Sequence, residues 1–394
     1  MNYLLKYPLQ FLFLFVFTLN LFNPLIFSLS LPFYFFVPFL LALFIVKGLF
    51  SDRVMISNFL FLVLLSSLFF TPSVIFSEHS DVSLFKFLSF FLTLTCIYNI
   101  YKNCDFDCFR FILNLFRIAI LLSMVIFVVG LGYPRNDTGF SGFLNHPQAF
   151  GIFLSVYISI EAFFYKKLDV NFNVTQLFFV SISVVMLIMT ESRTGFFSLF
   201  ISLPLLLELN PRRIFSSKKS ILILMLAIVL LVVFSNSVIS IIDNIVSKSG
   251  RSSGDLIESL EQSRLYLAQA SMCDFNNSPL WGTGFQISTG VCGLKPMQVE
   301  YAFGLPISAP VEKGVFFSAL IGESGLLGVL GFIIIIGYLV FICIRNNNYS
   351  ATGVISLCLL TNLGESTLFS LGGIGGLIWA SIVLVTFYKN DVVD

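Results

Sequence analysis

The sequence predicts an all-α polytopic membrane protein of about twelve transmembrane helices with one large external loop. Three observations carry that expectation. Of 394 residues, 57% are hydrophobic and 11% charged, and the mean hydropathy is +0.96, whereas a globular domain is about 45–50% apolar and about a quarter charged. Apolar runs recur at the length of roughly 20 residues that a bilayer core of about 30 Å requires. The short loops also divide into lysine- and arginine-rich ones and poor ones.

Taken in order, the spans fall near 9–28, 31–50, 55–76, 82–101, 111–133, 148–165, 174–190, 196–209, 221–242, 325–344, 351–370 and 371–388. Pro24 and Pro32 blur the first boundary, and the short eighth span stops before Asn210 and Pro211. Only Lys6 precedes the first apolar run and a second follows at once, so the N-terminal stretch reads as a retained span and not as a cleaved signal peptide. With the N-terminus inside, the inner segments hold Lys6, Lys47, Arg53, Lys102, Arg110, Lys166, Lys167, Arg212, Arg213, Lys218, Lys219, Arg345 and Lys389. The outer segments hold Arg135, Arg193, Lys248, Arg251, Arg264, Lys295 and Lys313. Arg212, Arg213, Lys218 and Lys219 share one loop and are costly to translocate, which puts both termini on the cytoplasmic side.

This orientation divides the chain into membrane helices one to nine (1–242), a large external loop with a surface helix (243–324), and helices ten to twelve with a cytoplasmic tail (325–394). Gly314–Ile344 is too long for one span, and Gly322, Gly325 and Gly328 punctuate it; 314–322 is expected to lie near the outer surface, with the span beginning at 325. Cys273 and Cys292 fall in the external loop, where either a disulfide or two free thiols fit.

The formal net charge of +1 gives no basic excess for a nucleic-acid partner. His79 and His146 are the chain's two histidines, and no phosphate loop, dinucleotide fingerprint or serine elbow is present, so neither a metal centre nor a cofactor is expected. The span interiors are nearly free of ionisable residues, Arg117 and Glu161 being the nearest exceptions, which counts against an ion-coupled transporter.

Polar chemistry gathers on the expected outer side. Asn145 and His146, in the loop before the sixth span, either bind a sugar hydroxyl or cap the following helix. Arg193, in the Glu191-Ser192-Arg193-Thr194-Gly195 turn, either grips a phosphate or pairs with Glu191. Ser263–Ala270 reads as a helix carrying Arg264, followed by a glycine-punctuated turn through Phe285, an arrangement suited to an anion. Glu312 starts the surface helix and Glu323 sits in the Gly-Glu-Ser-Gly break; each carboxylate is a helix-dipole partner or a general base.

Together these segments resemble the O-antigen polymerase and O-antigen ligase superfamily: GFLNHPQAFG at 142–151, ESRTG at 191–195, SRLYLAQA and PLWGTGF within 263–285, EKGVFFSALIGESGLLG at 312–328 and NLGESTLFSLGGIGGLIW at 362–379. The resemblance implies metal-independent glycosyl transfer at the periplasmic face of the bacterial cytoplasmic membrane, from a glycan on undecaprenyl diphosphate. It maps the family's diphosphate-binding arginines onto Arg193 and Arg264, and it implies a chain-length regulator and a flippase of the same pathway as candidate partners. Ligases carry a histidine near the end of the large loop, where this chain has Ala309-Pro310-Val311-Glu312-Lys313. That departure favours a polymerase, with Glu312 as the candidate base and His146, Glu191 and Glu323 as its competitors. A ligase and a non-enzymatic lipid-linked oligosaccharide flippase are the alternatives.

Overall fold

The computed structural model describes residues 57–101, 106–133, 139–144, 146–168, 173–208, 266–289, 291–292, 296–302, 304–308, 313–370 and 374–388. Ten helices and one hairpin are found among the described residues: α1 (Asn58–Ile75), α2 (Ser80–Tyr101), α3 (Phe106–Val128), α4 (Pro147–Leu168), α5 (Val174–Met189), α6 (Arg193–Leu206), α7 (Tyr266–Asn277), β1 (Glu300–Ala302), β2 (Leu305–Ser308), α8 (Phe316–Arg345), α9 (Tyr349–Thr361) and α10 (Ile374–Phe387). The strands pair antiparallel.

Most of these helices are apolar around their circumference, as a bilayer demands of segments whose backbone groups must be satisfied internally. Three are long and apolar enough to cross a membrane: Asn58–Ile75, Pro147–Lys167 and Phe316–Arg345. Shorter apolar helices occupy Ile112–Val128, Val174–Met189, Arg193–Leu206, Tyr349–Thr361 and Ile374–Phe387. The spans expected at 9–28, 31–50 and 221–242 lie outside the described residues.

Two features depart from the sequence reading in ways that bear on the site. The helix expected over 351–370 ends at Thr361, because the next side chain takes over the backbone. Asn362 donates to the Cys358 carbonyl while its Oδ1 accepts from the amides of Thr367 and Leu368, folding 362–370 into a turn. Gly325 does break α8, with φ 59° and ψ −167°. The segment before the break is not peripheral, however: Phe316, Ala319, Leu320, Gly322, Glu323 and Ser324 are all buried, and α7 packs against it.

α4 is the central helix. It packs on α3, α5, α6, α9 and α10, and nearly every side chain from Phe150 to Phe164 is buried. It carries the one strongly polar position foreseen inside the spans. Arg117 of α3 reaches Glu161 of α4 at 2.7 Å, Tyr157 donates to the same oxygen at 2.7 Å, and the guanidinium lies 5.7 Å from the Phe179 ring centre. This clamp joins three helices and accounts for both exceptional charges structurally.

The connections sort to two ends. At one, Phe140 N–H donates to the Met189 carbonyl, Phe316 N–H to Asn362, and the Gln286 amide to Phe369, while Gly284 lies against Ser77 of the α1–α2 turn. At the other, Ser350 N–H donates to Glu208. The described helices therefore alternate between ends as those of a polytopic protein do. Reporter fusions at residue 215 are expected to read cytoplasmic and fusions at residue 270 periplasmic; the opposite pattern would invert the assignment of the loop-rich end.

Candidate active site

At Gly325 the helix leaves backbone groups on either side of the break without intrahelical partners, and a buried group in that state is costly. The Pro279–Phe285 turn satisfies them. Thr283 and Gly284 N–H donate to the carbonyls of Gly322 and Glu323 at 3.1 and 2.9 Å, and Leu326 and Leu327 N–H donate to Pro279 and Leu280 at 3.0 and 3.1 Å. Such close approach needs glycine on both sides. A Cβ on Gly325 (φ +59°) would lie 2.5 Å from the Leu280 carbonyl carbon, and one on Gly282 (φ +70°) would collide with the backbone of Glu323. Two motifs well separated in sequence, the 279–285 turn and the 322–327 break, are thus one structural unit, whose effect is to fix Glu323.

Glu323 is 6% exposed. It forms an ion pair with Lys313, the two side chains being 8% and 11% exposed. Burial pulls the Lys313 ammonium down from the ordinary lysine range, and the adjacent Glu323 charge opposes that pull. From α2, Lys86 reaches the Gln286 carbonyl at 2.8 Å and is within electrostatic range of both Lys313 and Glu323. From α7, the buried Asp274 faces the charge of Glu323; burial first and Glu323 second push its carboxyl up to about 6. Two cations and two carboxylates from four separate elements therefore meet at the loop-rich end. A third His, Cys, Asp or Glu that would complete a metal cluster is absent among the described residues.

Beneath this cluster lies an aromatic layer. Phe285 from the turn packs against Phe70, Phe90 and Phe369 at ring separations of 5.4, 5.9 and 5.0 Å, and Phe316 packs against Phe369 at 4.9 Å. A disulfide joins Cys273 to Cys292 and ties α7 to the segment after the turn, which decides between the bridge and the two free thiols.

The sequence-predicted residues divide as follows. Arg193 opens α6, half-buried, with no ion pair or hydrogen bond among the described residues. Glu191 is exposed at φ 53° and makes no ion pair with it, although its charge offsets part of the burial effect on the guanidinium. Thr194 touches Gly364, so the 362–370 turn connects Arg193 to Phe316 and Gln286 around the same end. His146 caps α4: its Nδ1 accepts from Gln148 N–H at 3.2 Å and its carbonyl from Phe150 N–H at 3.1 Å. Arg264, Glu312 and Asn145 lie outside the described residues. Lys313, the sequence neighbour of Glu312, is the partner of Glu323.

Lys86 and Asp274 were not foreseen. Lys86 stands near the start of an apolar run, where it passes for a snorkelling interfacial residue. Asp274 follows Cys273 on an ordinary-looking helix, and nothing local in the sequence places it against Glu323.

Residues 178–333 match the model of a family described as O-antigen ligase, consistent with the O-antigen polymerase and ligase superfamily. The matched stretch contains the Arg193 turn, the 279–285 turn and the α8 break; the 142–151 and 362–379 segments lie beyond it. No curated protein matches the chain.

Proposed function

We propose that this membrane protein is a surface-polysaccharide (O-antigen) polymerase that transfers a growing glycan from undecaprenyl diphosphate onto a lipid-linked repeat unit at the periplasmic face of the cytoplasmic membrane. The observation that carries the reading is the gathering of Lys86, Lys313, Glu323 and Asp274 at the end of an apolar bundle that also presents Arg193. A carrier lipid needs apolar helix surface for its tail and cations at the membrane boundary for its diphosphate. An acceptor hydroxyl needs a carboxylate. One end of this bundle supplies all three.

In this mechanism the guanidinium of Arg193, joined by Arg264, holds the diphosphate through paired hydrogen bonds and offsets the negative charge that grows as the glycosidic bond breaks. The Lys313–Glu323 pair ties the first half of α8 to the segment that precedes it. A proton acceptor then activates the sugar hydroxyl, a contribution worth about 10²–10⁴-fold. Glu312 is the sequence-based candidate for it. His146 is committed to capping α4 and Glu323 to Lys313, which weakens both as competitors. The Cys273–Cys292 bridge supports an oxidising compartment for this end of the protein.

Polymerase is favoured over ligase by the absence of histidine from the segment 243–313. Surface polysaccharide from a deletion strain tests the reading. Single repeat units on the core are expected; undecorated core with polymer stranded on the carrier would instead identify a ligase, and units retained inside the cell a flippase. Purified protein given lipid-linked repeat units is also expected to make ladders in EDTA, because arginine and lysine side chains take over the cation's role at the diphosphate. Activity lost on chelation and restored by magnesium would overturn that part.

A further inference from the structure

We infer that Asp274 is the residue that takes the proton from the acceptor hydroxyl, with the Lys313–Glu323 pair as its positioning partner. The inference rests on the glycosyl-transfer reading and moves the proton acceptor from Glu312 to Asp274.

Three observations converge on this side chain. Asp274 is 4% exposed, yet it has neither an ion pair nor a side-chain hydrogen bond among the described residues. Neither carboxylate oxygen is among the fully buried atoms without a partner, so the group keeps a solvent-facing edge. Its placement is rigid: Cys273 beside it is bridged to Cys292, and α7 lies so close to α8 that a Cβ on Gly322 would come 2.5 Å from the Ser271 carbonyl oxygen. Finally, of the two carboxylates in the cluster, Glu323 is held by Lys313 and Asp274 is not.

Burial is the larger influence on the proton affinity of Asp274, and the charged groups facing it are the smaller. From α8 comes Glu323, a like charge that disfavours ionisation; Lys313 and Lys86 lie beyond it and are engaged with Glu323 and the Gln286 carbonyl. Burial first and Glu323 second push the carboxyl up to about 6. It is thus ionised at neutral pH but a stronger base than an ordinary aspartate, the condition under which general-base catalysis is most effective. The step balances. The hydroxyl proton passes to an Asp274 oxygen, the hydroxyl oxygen bonds to the anomeric carbon, and the bond from that carbon to the diphosphate breaks. Its electron pair leaves on the diphosphate. The proton is then released to water.

The test is a pH–rate profile from pH 5 to 8 on purified full-length protein given lipid-linked repeat units, with donor binding measured in parallel. Wild type should show an acid limb near pH 6, activity rising as Asp274 ionises. Asp274→Asn should lose about 10²–10⁴-fold in kcat with donor affinity unchanged, and Asp274→Glu should recover part of the rate with a displaced limb. A wild-type profile without an acid limb overturns the assignment even if Asp274→Asn fails to fold. So does a limb lost in Glu312→Gln but kept in Asp274→Asn. Wild-type protein that makes no polymer, while retaining donor binding or not, overturns the glycosyl-transfer reading itself and is distinct from either result.

Discussion

Arg193→Ala is expected to abolish polymer while leaving the protein in the membrane at near-normal abundance. The expectation follows from what the guanidinium lacks. It is half-buried at the start of α6 and has no ion-pair or hydrogen-bond partner among the described residues, so its removal strands no buried counter-charge and creates no orphaned acceptor. On the proposed mechanism what disappears is a two-pronged donor for the diphosphate, and loss of a comparable transition-state donor costs about 10²–10³-fold in rate. Arg193→Lys should restore activity only in part, since lysine keeps the charge and loses the planar fork. Arg264→Ala should behave alike. Polymer ladders with immunoblotting of membranes check both: normal ladders from either alanine variant would remove that residue from the site, and loss of the protein would make its role structural.

How far the sequence foretold the site depended on whether the relevant physics was local. Helices α1, α3, α4, α5 and α6 were legible because apolar run length is a property of contiguous residues. The disulfide remained open because spacing alone does not set Cα separation, and here the α7 helix brings Cys273 and Cys292 to 5.7 Å. The extension of α9 to 370 failed for a complementary reason: the run remains partly apolar after Thr361, but Asn362 gathers its backbone bonds from residues further on. Glu323 was legible as a candidate through the Gly-Glu-Ser-Gly break. Its partnership with Lys313 was not, since the nearer neighbour Glu312 offered an equally simple pairing. Lys86 and Asp274 needed the 279–285 turn to be threaded along the broken helix before their nearness had any meaning.

Breaking the Lys313–Glu323 pair from one side should be the most destabilising single change at this end of the molecule. Both side chains are nearly buried, and removing one partner of such a pair leaves the other charge uncompensated, which costs about 3–5 kcal/mol. Lys313→Met is expected to be the worse of the two single changes: it leaves an acid beside Asp274, whose like charge then goes unscreened. Glu323→Gln leaves Lys313 with an amide oxygen to bind and should cost less. The double variant Lys313→Met, Glu323→Gln removes both charges at once and should recover most of the loss, because two neutral groups of similar size can be buried far more cheaply than one charge alone. Unfolding in detergent, followed through Trp281 in the turn that braces Glu323, reports on the region directly. A double variant whose destabilisation equals the sum of the singles would mean that the two charges are not coupled, and the positioning role given to this pair would fail with it.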